Sequence, residues 1–138
     1  TVTTAHQVRD IKAASGQIII SPHLDDNVVC EAVNLGLISM PGVATPTEAF
    51  RAIALGAHGL KLFPAEMISP SVVKSMRAVL PGHVRLIPVG GIGAHNMANY
   101  RQCGASGFGI GSALYAPGKT VQAIGESAAA FVRAWHAV

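Results

Sequence analysis

Short apolar runs alternate with longer amphipathic stretches along the whole chain. The runs are Gln17–Pro22, with Ile18, Ile19 and Ile20 at its centre, then Leu37–Gly42, Gly59–Pro64, Val84–Val89 and Gly107–Ile110. Brief apolar runs bounded by turn residues predict strands buried on both faces, as in a parallel sheet. The stretches between them predict helices. Thr4-x-x-Gln7 and Thr45-Pro46-Thr47-Glu48 are capping-box starts, the second with proline at the first helical position. Gly16, Gly36, Gly56 and Gly104 stand where helix-ending glycines belong. The reading is five strands and six helices, helix first, in a unit recurring roughly every twenty residues.

Strands alternating with helices imply parallel βα units. An open doubly wound sheet and part of a (β/α)₈ barrel both fit. A barrel normally needs about 200 residues or more, and this chain has 138. A helix directly after Thr1-Val2 is expected of a chain that opens at the end of a strand. The favoured fold class is therefore α/β, an incomplete (β/α)₈ TIM barrel holding strands 4–8 and the end of strand 3, with residues 1–138 as one domain and the N-terminal βα units absent.

Lys61 changes the picture most. It sits inside the apolar run Gly59-Leu60-Lys61-Leu62-Phe63-Pro64. Side chains alternate along a strand, so Lys61 shares a face with Gly59 and Phe63 while Leu60 and Leu62 face the other way. With the leucines against helices, Lys61 points into the barrel. A lysine in an apolar site loses its proton more readily because desolvation disfavours the charged form, and a neutral amine can form a Schiff base with a carbonyl substrate. The plainer alternative is a strand-end lysine whose amine reaches back to water.

Glycine-rich turns follow the last strands, Val89-Gly90-Gly91-Ile92-Gly93 and Gly109-Ile110-Gly111-Ser112. Glycines let backbone N–H groups approach phosphate oxygens, and Ser112 adds a hydroxyl donor. In barrels the loops after the last strands frequently form a phosphate site. Each turn alone would also serve as a tight strand-to-helix connection. Neither turn matches the dinucleotide fingerprint, which belongs to the first βα turn.

Composition narrows the class further. Half of the residues are hydrophobic and 12% are charged, with net charge +3 and no block of lysine or arginine. Nothing there predicts a nucleic-acid surface, and no apolar run is long enough for a membrane span. Cys30 and Cys103 lack metal-ligand spacing and are expected as free thiols of a cytoplasmic protein. The histidines at 6, 23, 58, 83, 95 and 136 show no paired spacing on one helix face, so no metal or cofactor is expected. His23 follows a strand at the expected barrel mouth, where a surface role is favoured. Tyr100, Tyr115 and Trp135 fit core or interface packing.

Pro41-Gly42-Val43-Ala44-Thr45-Pro46-Thr47-Glu48, Leu60-Lys61-Leu62-Phe63-Pro64-Ala65-Glu66 and Pro88-Val89-Gly90-Gly91-Ile92 resemble the class I aldolases of 2-keto-3-deoxy-6-phosphogluconate and -galactonate. The likeness runs in register over essentially the whole chain, and the K-x-F-P-A element is its most specific part. The resemblance implies that Lys61 is the Schiff-base residue. It implies that Gly90, Gly91, Gly111 and Ser112 bind the substrate phosphate. Thr1 matches a threonine contacting the keto-acid portion, and Pro22 and Phe63 match pocket-lining residues. Val89 stands where galactonate-type members tend to have valine and gluconate-type members threonine.

The implied activity is a carbon–carbon lyase of sugar-acid metabolism of the Entner–Doudoroff type, cleaving a 2-keto-3-deoxy-6-phospho-sugar acid to pyruvate and glyceraldehyde 3-phosphate. The implied assembly is a trimer. The family's general acid/base glutamate and a substrate-holding arginine belong to segments that match nothing in this chain. Glu66 is the carboxylate next to the lysine element, and a role capping the loop after the strand is favoured over substitution for that base. Two rival readings remain: another phosphate-binding barrel enzyme, such as an epimerase or synthase, with a structural Lys61, and an inactive, self-associating fragment.

Overall fold

A computed structural model describes residues 1–137. Its elements in chain order are α1 (Ala5–Ala13), β1 (Ile18–Ile20), α2 (Asp26–Asn34), β2 (Ile38–Met40), β3 (Gly42–Val43), α3 (Pro46–Ala54), β4 (Gly59–Leu62), a 3₁₀ turn (Ala65–Met67), α4 (Pro70–Val79), β5 (Arg85–Pro88), α5 (Met97–Gln102) and α6 (Val121–His136). The helix starts are set by local chemistry. Thr4 and Thr45 form complete capping boxes with Gln7 and Glu48, and Asp25 accepts the Val28 N–H at 3.0 Å to start α2. Gly36, Gly56 and Gly104 carry the positive φ that ends a helix, whereas at the end of α1 that conformation falls on Ser15 rather than Gly16.

All strand pairs are parallel: β1 with β2, β3 with β4, and β4 with β5. The run predicted as one strand over 37–42 is divided at Pro41, because proline has no N–H to donate to a ladder. Its carbonyl still accepts the Lys61 N–H at 3.0 Å, and the Ser39 carbonyl accepts the His58 N–H at 2.9 Å. The two halves therefore both lie beside β4. The strand expected over 107–110 reduces to a single parallel bridge between Val89 and Gly109. Glycines at alternate positions, Gly107 and Gly109, leave no side chains to pack on that face of the run.

Helices cover one face of the sheet. Leu60, Leu62 and Leu86 are fully buried there, clustered with Ala49 and Ala52 of α3 and Val73 and Met76 of α4. A second cluster joins Val2, Val8, Ile19, Val28, Ala32 and Leu37. Burying a leucine contributes ~1.5–3 kcal/mol, so these alternate positions hold each strand's orientation. On the opposite face Ile18, Ile20 and Ile38 remain 42–46% exposed. An edge-to-face chain of Tyr100, Phe108 and Trp135 joins α5 to α6, and Tyr115 is exposed. The Tyr100 hydroxyl donates to the Ala65 carbonyl at 3.0 Å, tying α5 to the turn after β4.

Gly42 is demanded by close approach. A Cβ there would lie 2.3 Å from the Pro22 carbonyl oxygen and 2.8 Å from the His23 nitrogen, both backbone atoms. Gly42→Ala is expected to cost roughly 2–4 kcal/mol of unfolding free energy, because backbone overlap must be relieved within a packed seam. Chemical denaturation measures it, and a loss below about 1 kcal/mol would contradict the packing described. Tyr100→Phe removes the bond to Ala65 and is expected to cost ~0.5–1.5 kcal/mol by the same measurement, since the buried carbonyl keeps only the Ile68 N–H as donor.

Candidate active site

Strict alternation along β4 delivers Lys61 to the face opposite Leu60 and Leu62. The lysine is half-buried, and its Nζ lies 4.1 Å from the centroid of the Phe63 ring. The ring's negative face attracts the cation, but desolvation by burial nevertheless holds the amine below the ordinary lysine range. In register on either side of Lys61 are Gly42 and Ile87. A cavity of about 570 Å³ opens over this row, lined by Lys61, Ile20, Met40, Ile87, Val89 and Phe108 among others. Arg85 is the other cation on its wall, and no carboxylate lines it among the described residues.

A second cavity of about 460 Å³ adjoins the first and shares Val89, Gly109 and Gly111 with it. Phe63, Gly90, Gly91 and Ser112 line this second space. Gly90 and Gly91 have φ of +102° and +62°, a conformation that favours glycine. Asn96 fastens the turn: its side-chain amide donates to the Gly91 carbonyl at 2.9 Å, and its Oδ1 accepts the Gly93 N–H at 3.0 Å.

The structure thus brings together Lys61, Phe63, Val89, Gly90, Gly91, Gly111 and Ser112. Thr1 and Pro22 line neither cavity. Thr1 is exposed beside the buried Val2, and Pro22 packs its carbonyl against Gly42. His23 is exposed and also lines neither.

Two residues of this site have no clear sequence signal. Glu66 was expected to cap the loop after β4. Instead its carboxylate reaches across to the glycine turn, where a Cβ on Gly90 would meet Glu66 Oε2 at 2.4 Å. Its charge, after burial, is a further reason the Tyr100 hydroxyl titrates above the ordinary range. His95 lines the same cavity, and only its place two residues after Gly93 hinted at this.

Among the described residues no group of histidine, cysteine or acidic side chains is arranged to hold a metal, and no helix is long and apolar enough to cross a membrane. Chemically, the arrangement offers an amine held below the ordinary lysine range in one cavity and glycine turns beside a hydroxyl, a carboxylate and an imidazole in the next.

Known proteins resemble this chain in both sequence and structure. The probable 2-dehydro-3-deoxy-6-phosphogalactonate aldolase of Rhizobium meliloti is 42% identical over all of this chain and 65% of its own length. A solved structure of native KDPGal superposes with a TM-score of 0.97 at 38% identity, covering 99% of this chain and 66% of that one. The KDPG aldolase of Legionella pneumophila, solved with pyruvate captured as a covalent carbinolamine intermediate, superposes at 0.76 with 27% identity, covering 100% of this chain and 66% of that one. The chain therefore spans just under two thirds of the length of these relatives. The pattern of the KDPG and KHG aldolase family matches residues 1–126, and the chain belongs to that family.

Proposed function

We propose that this chain carries the Schiff-base and phosphate-binding part of a class I aldolase acting on 2-keto-3-deoxy-6-phosphogalactonate. The observation that carries the reading is the desolvated Lys61 amine, set one cavity away from the Gly90–Gly91 and Gly111–Ser112 turns. Neutral Lys61 attacks the C2 ketone, and loss of water from the carbinolamine gives an iminium. The iminium accepts the electron pair of the breaking C3–C4 bond, releasing glyceraldehyde 3-phosphate and leaving an enamine. Protonation at C3 and hydrolysis free pyruvate and restore the amine. Phe63 and Val89 wall the reacting carbons, and Gly90, Gly91, Gly111 and Ser112 hold the phosphate. Val89 at the position preceding the paired glycines favours the galactonate epimer.

On this reading residues 1–138 are the C-terminal part of a (β/α)₈ barrel, with the exposed row of Ile18, Ile20 and Ile38 facing its interior. The working assembly is a cytoplasmic trimer. The Lys61 cavity has no carboxylate among its described lining residues, so proton transfer there falls to water or to groups beyond those described. General acid–base help is typically worth ~10²–10⁴ in rate, which makes adduct formation a more direct test than turnover.

Incubation with pyruvate and borohydride is expected to give a reduced adduct on Lys61, located by peptide mass spectrometry, and none in Lys61→Arg. An unlabelled wild-type chain would overturn the reading and leave Lys61 structural, as in an epimerase or synthase. Adduct yield should rise with pH and level off below the range of an ordinary lysine. Lys61→Met is expected to stabilise the fold at neutral pH. The folded-state pKa lies below the unfolded one, so the unfolded chain binds more protons between the two values, and stability gained through this group rises with pH across that window. The gain from Lys61→Met should therefore shrink as pH climbs toward the ordinary lysine range, which thermal melts at several pH values would reveal.

A further inference from the structure

The cavity at the glycine turns holds one carboxylate, Glu66, one imidazole, His95, and no lysine or arginine among its lining residues. We propose that His95 is a specificity-determining residue for the phosphate group, its protonated imidazole supplying the charge that the cradle otherwise lacks. This inference rests on reading that cavity as the phosphate site.

The placement of His95 is built rather than incidental. Its ring folds back over Gly93, where a Cβ would come within 2.6 Å of both Nδ1 and Cε1. Gly93 therefore admits the ring against the cavity wall. The Asn96 side chain, bonded to Gly91 and Gly93, holds the connecting loop in shape. The ring is exposed, free to meet a ligand entering from solvent.

Charge decides what the ring does. The Glu66 carboxylate lies against the Gly90–Gly91 turn, where a phosphate oxygen would approach the backbone N–H groups. With His95 neutral, the ionisable side chains lining the cavity carry the glutamate's charge alone, and a phosphate dianion meets repulsion. Protonation of His95 cancels that charge.

Other cations nearby do not line this cavity. Lys61 lines the adjoining cavity. The Lys119 ammonium donates to the carbonyls of Ala113 and Leu114 at 2.9 and 3.3 Å and lies 3.5 Å from that of Ser112. Arg101 of α5 stacks on Trp135 and bonds its carbonyl. Backbone donors thus give the cradle its shape, while His95 sets its charge, and the site holds anions more strongly when the ring is protonated.

The test titrates the full chain with inorganic sulfate, which keeps its double charge from pH 6 to pH 8, while the amide resonances of Gly90, Gly91 and Gly111 are followed by NMR. Binding to the wild-type chain should weaken roughly three- to fivefold from pH 6 to pH 8, the size of an exposed charge contact. His95→Gln should bind weakly at both values, His95→Lys tightly at both, and Glu66→Gln more tightly than wild type at pH 8. A His95→Gln variant that follows the wild-type pH profile overturns the role of His95, and with the glycine amides still responding it leaves the phosphate site standing. Glycine amides that fail to respond in the wild-type chain overturn both assignments. Pyruvate trapping on Lys61 then reports separately whether the Schiff-base chemistry survives.

Discussion

The site depends on one constraint: side chains of a strand alternate, and β4 has two leucines to bury. Leu60 and Leu62 are fully buried beneath α3 and α4, and slipping the strand by one residue would drive both into the open and Lys61 into the core. The cost of that slip, ~1.5–3 kcal/mol for each leucine and more for a buried unpaired ammonium, keeps Lys61 on the cavity face. Its depressed pKa follows from the same placement, since the apolar walls of Ile20, Met40 and Ile87 hydrate an ammonium poorly. Pro41 supports the arrangement from the next strand, breaking its own ladder yet still accepting the Lys61 N–H.

Next to the amine, the molecule solves a different problem. The adjoining cavity has no lysine or arginine on its wall, and its ionisable lining among the described residues is Glu66 and His95. The two cavities share Val89, Gly109 and Gly111, so the space over Lys61 adjoins the space at the glycine turns. The desolvated amine thus stands on β4, and the glycine turns stand after β5 and at the Val89–Gly109 bridge.

Much of this was legible in advance because it is local. The capping boxes at Thr4 and Thr45, the helix-ending glycines at 36, 56 and 104, and the lysine between leucines each follow from neighbours within a few residues. The misreadings share a cause in packing at longer range. Residues 107–110 contribute one bridge because a strand needs side chains and partners on its flanks, which an apolar pattern cannot count. The left-handed residue after α1 is Ser15, while Gly16 is required for another reason: a Cβ there would strike Ile11.

The sequence by itself determined the alternation of strands and helices, the side of β4 on which Lys61 stands, and the glycine turns that line the second cavity, since each depends on periodicity or on backbone freedom of single residues. The tertiary structure alone decided which ionisable groups share a cavity. Glu66 and His95 lie 29 positions apart, and only the parallel pairing of β4 with β5 brings their turns to one cavity. Electrostatic environment is a property of distances through space, and those distances arise when strands far apart in the chain are laid side by side.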